Sequence, residues 1–416
     1  MKQFKLLKNS LIALAVAGSF STLAESVAIT NTTVYTGTEQ GVLTEANVVI
    51  DKGKVVAVNP ANLVVDRTVD GQGRILTAGF IAPMTRLGLV EVGAVARSRD
   101  ASPKKGGITF DPSLAFNPES SLIPFARKGG ITHSVVVPGG SDDMIAGQAF
   151  VVNLSGDYTS VEATGTAVLA EFGAASKDSR ASNLQSFKDK LEAHVKKQEK
   201  AKKKKKDDKD KDKEPSKEEK LLTAMLKGEL PVIAEASRAT DILHLIKLKE
   251  QFGLNLVLSW ASDAVRVKEQ LAAAKVPVII NPMNNLPGDF DSLHSSLENA
   301  AKLEKAGVKV LLSNSDSHMM YNLRLDAGNA ISNGMSVQGA LEAVTSNVAE
   351  VFGMKGGTVA KGEPANLVLW SGDPFEISTK VETMWINGEQ ITTESRQDKL
   401  RDRYTAKDDK RRGYIK

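Results

Sequence analysis

Apolar positions along this chain follow two periods. From residue 27 to 77 they form short β-type runs, 27–33, 48–50 and 55–58, with the last two joined by an Asp51-Lys52-Gly53-Lys54 turn. A second block of this kind closes the chain: a run at 366–370, a Ser371-Gly372-Asp373-Pro374 turn, and a run at 381–386. Asn387-Gly388 then predicts a tight hairpin into 389–392. Neither block can bury a core alone, so the economical reading pairs them in one small β-sandwich built from both chain ends.

Between the blocks, strand-like and helical patterns alternate. An apolar run at 75–81 ends in Ala82-Pro83-Met84-Thr85-Arg86 and reads as a buried parallel strand opening into a loop. Further strand-like runs fall at 131–137, 231–236, 256–260, 278–281 and 308–313, with helical patterns at 239–252, 262–275 and 293–306. This alternation predicts an α/β fold, a (β/α)8-like (TIM) barrel. Only six strands are clear; the other two must come from 147–172, with 149–154 and 166–172 as candidates, so the barrel has room for distortion. The expected organisation is a targeting segment at 1–24, sandwich at 25–76, barrel at 77–358, sandwich again at 359–396, and a charged tail at 397–416.

Composition narrows the setting. Lys2, Lys5 and Lys8, an apolar stretch at 11–20 and Thr22-Leu23-Ala24 read as a signal peptide cleaved after Ala24, placing the protein in the periplasm or outside the cell. No later segment is long and apolar enough to span a bilayer, so no integral membrane segment is expected after cleavage. With no cysteine, disulfides and thiolate metal sites are excluded. The net charge of +4 does not point to nucleic acid. The lysine-rich stretch 196–220 has no aromatic residues to stack on bases and reads as a solvated excursion or charged helix.

Several stretches resemble the amidohydrolase superfamily, nearest its imidazolonepropionase-like branch. Gly79-Phe80-Ile81 followed by Met84-Thr85-Arg86 resembles the family's opening strand, which ends in His-x-His. Pro231-Val232 through Arg238-Ala239 looks like "PV-x-x-HAHRA", 256–263 like "LV-x-x-HGTE", 308–317 like the strand ending "GTDS", and 362–368 like the closing strand "GK-x-ADLV". The resemblance implies hydrolysis of C–N bonds other than peptide bonds, in amides, cyclic amides or dipeptide-like substrates, by water activated on divalent metal. It places Met84 and Arg86 at the first two histidine positions, Glu235 and Ser237 at the next two, and Trp260 at another. Only Asp316 keeps the family residue, and Glu171 is the nearest acid to the place of the bridging lysine.

Methionine is a poor ligand for zinc-like ions, and a guanidinium cannot deprotonate to bind one. Two readings follow. Glu235, Asp316 and His318 form a rebuilt site for zinc or another divalent metal, with Asp316 catalytic. Alternatively Arg86 supplies the positive charge of the metal, Trp260 fills the volume a histidine vacates, and no cofactor is bound. The second reading gives a non-catalytic or altered pocket that binds a small-molecule substrate or ligand, self-associates, or pairs with an active relative. His133, His194, His244 and His294 fall in a strand or helical patterns and read as structural. Ser313, Ser315 and Ser317 lack the G-x-S-x-G setting of a nucleophile elbow.

Overall fold

The computed structural model describes residues 25–173, 178–204, 214–314 and 316–406. The expected signal peptide, the middle of the lysine-rich stretch, Ser315 and the end of the charged tail lie outside the described residues.

The N-terminal block forms strands β1 (Val27–Tyr35), β2 (Val42–Asp51), β3 (Lys54–Val58), β4 (Arg67–Asp70) and β5 (Ile75–Ala78). β1 organises them, pairing antiparallel with β2 on one side and parallel with β4 and then β5 on the other. The predicted turn between β2 and β3 forms on Lys52 and Gly53, both left-handed (φ 47° and 76°), as a two-residue hairpin requires.

The run at 75–81, which reads as one strand, is two. β5 stays in the small sheet, and β6 (Phe80–Thr85) opens the barrel. Gly79 is the switch: its N–H donates to Asn366 O at 2.8 Å, while the next N–H, of Phe80, donates to Gly130 O at 2.9 Å. A side chain at Gly79 has no room, because its Cβ would lie 2.2 Å from Thr132 Cγ2.

The barrel continues through β7 (Ile131–Val136), β8 (Ile145–Asn153), β9 (Val161–Glu171), β10 (Val232–Glu235), β11 (Leu256–Ser259), β12 (Val278–Ile280) and β13 (Val310–Leu312), hydrogen-bonded in that order. β8 is antiparallel to both neighbours, and every other neighbouring pair is parallel. The β8–β9 hairpin replaces one strand–helix unit, which is why helix alternation fades at that place in the sequence. Between β13 and β6, Ser313 Oγ donates to Pro83 O at 2.7 Å. Beside that seam, Ile81 N–H donates to Val344 O and the Asn347 amide to Val310 O.

Barrel strands alternate inward and outward. One interior layer takes a residue from each: Ile81, Val135, Ala149, Leu169, Ile233, Val257, Ile279 and Leu311. The opposite parity packs outward against the helices. Helix Ala239–Phe252 forms at its expected bounds and ends on left-handed Gly253. The patterns at 262–275 and 293–306 are helical only in part, at Ser262–Val267 (3-10), Lys268–Ala273 and Asn299–Lys305. The described parts of the charged stretch end helix Arg180–Lys204 and, after non-helical Glu214-Pro215-Ser216, start helix Lys217–Leu226, whose Ser216–Glu219 capping box fixes its first turn. No described helix is long and apolar enough to cross a membrane.

The chain returns to the small sheet as β14 (Leu367–Trp370), β15 (Val381–Ile386) and β16 (Glu389–Ile391), with β14 antiparallel to β5. Both ends of the chain thus share one hydrogen-bonded sheet. The Trp370 indole donates to Thr77 Oγ1 at 2.9 Å and its ring lies 5.2 Å from that of Phe80. Arg324, buried on the barrel side, donates to the carbonyls of Pro374 (3.0 Å), Glu376 (2.5 Å) and Thr379 (2.9 Å), holding the loop between β14 and β15.

Replacing Arg324 with Met strands those carbonyls in a buried seam. Arg324→Met is expected to cost about 3 kcal/mol, seen as a loss of several degrees in thermal midpoint, while exposed Arg401→Met stays within about 0.5 kcal/mol.

Candidate functional site

The interior parity fixes the site. One alternation above the interior layer, toward the strand C-termini, Leu169 gives way to Glu171, Ile233 to Glu235, Val257 to Ser259, Ile279 to Asn281 and Leu311 to Ser313. Glu171, Glu235 and Ser259 are direct register partners across β9, β10 and β11. They therefore stand side by side and face the same way, into the barrel mouth where sites on such barrels are built.

At two strand ends the alternation is broken. Met84 and Trp260 both adopt the left-handed region (φ 55° each), a conformation that costs a side chain about 1–2 kcal/mol. At β6 the break lets both Met84 and Arg86 line the mouth. At β11 it turns Trp260 onto the rim, 53% exposed, with its carbonyl accepting from Ser237 Oγ at 2.8 Å. Trp260 therefore does not fill interior volume as the sequence suggested. Its indole N–H instead donates to the Glu235 carboxyl.

Two cavities meet at this point. A deep chamber of about 100 Å³ is lined by Met84, Ser259, Asn281, Asn284, Asn299 and Ser313, among others. An outer vestibule of about 860 Å³ is lined by Lys104, Asp142, Glu171, Asp289 and Asp291. Arg86, Glu235 and Trp260 line both and form the threshold. The loop between β12 and the following helix roofs the chamber. Its buried Asp291 is an anchor, accepting from Arg238 Nε at 2.5 Å and pairing with Arg180.

Electrostatically the threshold is unbalanced. Burial, and then the neighbouring Glu171 charge, push the Glu235 carboxyl up to about 7; Arg86 and the Trp260 N–H pull the other way. Burial also raises Glu171, again against Arg86. Arg86 is exposed and closes no salt bridge with either carboxylate, so the bidentate fork expected of it is absent and its charge acts through space.

The structure thus brings together Arg86, Glu171, Glu235 and Trp260. It does not add Asp316 and His318 to them. Both are exposed at a 3-10 turn, Ser317–Asn322, and line neither cavity, so the expected Glu235–Asp316–His318 set is not assembled. Among the described residues no group of three or more His, Asp or Glu side chains is placed to hold a metal ion. The strand ends at the mouth offer two carboxylates, Glu171 and Glu235, with hydroxyls and amides beside a guanidinium and no imidazole, a donor set that does not fit the family's histidine-rich centre. Of the other histidines, His133 is buried against Glu162 at 3.4 Å, and His194 bonds Thr223 across two helices at 2.9 Å. Ser259, Asn281 and Ser313 are site residues that motif matching passes over; strand parity, applied to Val257, Ile279 and Leu311, is the signal that finds them.

Two measurements check this electrostatic picture. The folded state favours protonated Glu235, so its contribution to stability is full below about pH 4.5 and is lost as pH rises through about 7. Glu235→Gln should therefore gain thermal midpoint relative to the native chain at pH 8, with the gap closing toward pH 4.5; a pH-independent difference would contradict it. Arg86→Ala removes a charge that lowers Glu235, so carboxyl NMR should record its titration moving above about 7.

The Amidohydrolase family profile matches residues 184–393. A search of curated proteins returns no match. Among solved structures, an amidohydrolase from Thermotoga maritima MSB8 is 26% identical, with a TM-score of 0.79 over 88% of this chain and 99% of that one. Two more distant structures share the fold. A β-aspartyl dipeptidase from Fervidobacterium islandicum AW-1, bound to a β-Asp-Leu dipeptide, is 14% identical with TM-score 0.54, covering 88% and 96% of the two chains. A zinc-bound adenosine deaminase from Xanthomonas campestris is 17% identical with TM-score 0.53, covering 89% and 94%. With the barrel, the two-ended sheet and the profile match in agreement, this chain belongs to the amidohydrolase family.

Proposed function

We propose that the barrel mouth binds a small organic ligand and that the family's metal-activated hydrolysis of C–N bonds is not carried by this chain. The observation that supports this reading is the composition of the mouth. Where the family resemblance calls for imidazoles, this chain has Met84, Arg86, Glu235, Ser237 and Trp260. The cavity that Met84, Arg86, Glu235 and Trp260 line is concave and mixes apolar side chains (Val137, Ile279) with polar ones (Ser259, Asn281), as small-molecule sites do.

A second reading has its own observation. A carboxyl poised near pH 7 beside a second carboxylate is a usable general acid or base, so hydrolysis without metal is the competing function. Both readings are tested on the purified mature protein by elemental analysis and by assays on amides, cyclic amides and dipeptides, with and without added zinc or manganese. Substoichiometric metal and no turnover are expected. About one equivalent of tightly held metal, lost in Glu171→Gln/Glu235→Gln, would overturn the proposal. Metal-independent turnover abolished by Glu235→Gln would establish the second reading.

A further inference from the structure

The three register partners at the mouth define a more specific chemistry, which rests on the reading of the mouth as a ligand site. Glu171 is 7% exposed and its carboxylate accepts no hydrogen bond from a described residue. Ser259 is 1% exposed, lines the deep chamber, and its hydroxyl has no hydrogen-bond partner among the described residues. A buried hydroxyl left without a partner costs about 1–3 kcal/mol, so its presence on a cavity wall points to an occupant that satisfies it. Glu235 stands between the two on β10, one strand from each, at the usual spacing of roughly 4.8 Å.

The charge of the region favours a cation. At the threshold two carboxylates face one exposed guanidinium, Arg86, which bonds neither. In the vestibule Lys104 is accompanied by Asp142, Asp289 and Asp291, and Asp291 is already engaged by Arg180 and Arg238. With both carboxyls ionised, the state a bound cation would favour, one negative charge is left uncompensated between Glu171 and Glu235.

We infer that Glu171, Glu235 and the Ser259 hydroxyl recognise the primary ammonium group of a small organic amine. An ammonium carries three N–H donors and no acceptor, and these strand ends supply three acceptors in a row. The half-exposed Trp260 ring at the rim offers a face for the cation or for the adjoining methylene. Beyond them the chamber, with Asn281, Asn284, Asn299 and Ser313 on its walls, holds only a short tail. Its volume is about 100 Å³. Larger amines must extend into the vestibule.

The probe is ethanolamine, compared with its N-trimethyl analogue choline and with the neutral amide acetamide. Trp260 is the exposed member of the chain's three tryptophans, since Trp370 and Trp385 are fully buried, so intrinsic fluorescence reports on the site. On the full mature protein, freed of metal by chelator, saturable quenching by ethanolamine is expected. Choline, which has no N–H, should bind about tenfold or more weakly. Ser259→Ala and Glu171→Gln should each weaken ethanolamine about tenfold; Ser259→Ala, a small change, covers the event that Glu171→Gln fails to fold. Choline binding as well as ethanolamine would overturn the ammonium assignment in favour of ring stacking alone. Acetamide binding without ethanolamine would also overturn it while leaving the ligand-site reading intact. No binding by any probe, with zinc bound instead, would overturn both.

Discussion

The alternation of side chains along barrel strands is the constraint on which this structure depends. Once Leu169, Ile233 and Val257 are committed to the barrel interior, Glu171, Glu235 and Ser259 have no choice but to face the mouth. A one-residue slip of β10 would turn both Ile233 and Glu235 toward the helices and bring Ala234 into the interior, so the apolar interior layer holds the polar layer in register. The strand ends are positioned by packing that carries no chemistry itself.

That constraint explains why the mouth is electrostatically unusual. Parallel register sets two glutamates on neighbouring strands, and burial then works against the charge of each. A bound metal would resolve such a conflict in a histidine-rich relative. Here the compensation comes at a distance from Arg86, and locally from the Trp260 indole N–H. Both arrive at the mouth only because Met84 and Trp260 break the strand alternation by going left-handed. Backbone strain at the ends of β6 and β11, and an unpartnered hydroxyl on the last residue of β11, are concentrated where ligand contacts would be made.

Much of this fold was legible in the chain, and its limits have physical causes. The strands at β6, β7 and β10–β13 show as short apolar runs because both faces of a barrel strand are buried. β8 and β9 were only candidates because their hairpin lacks the intervening helix that marks a βα unit. The 75–81 run gave no sign of dividing between two sheets, since the division is a switch of backbone hydrogen-bond partners at Gly79, from Asn366 to Gly130, both distant in sequence. At the mouth, the structure brings together Arg86, Glu171, Glu235 and Trp260, whose positions in family-like stretches had singled them out. Asp316 and His318 were misleading for the same reason: matching a motif at the end of β13 does not fix which way the following loop turns, and it turns them to solvent. Ser259 was silent, because a serine at a strand end acquires meaning only from its neighbours in register.

The most direct test is anomalous diffraction from crystals of the protein soaked in zinc or manganese at neutral pH. No anomalous peak is expected at the barrel mouth, with the Arg86 side chain at the threshold and Glu171 and Glu235 free of metal. A peak within bonding distance of either carboxylate would mean that the family's metal centre persists in altered form, and would contradict this expectation.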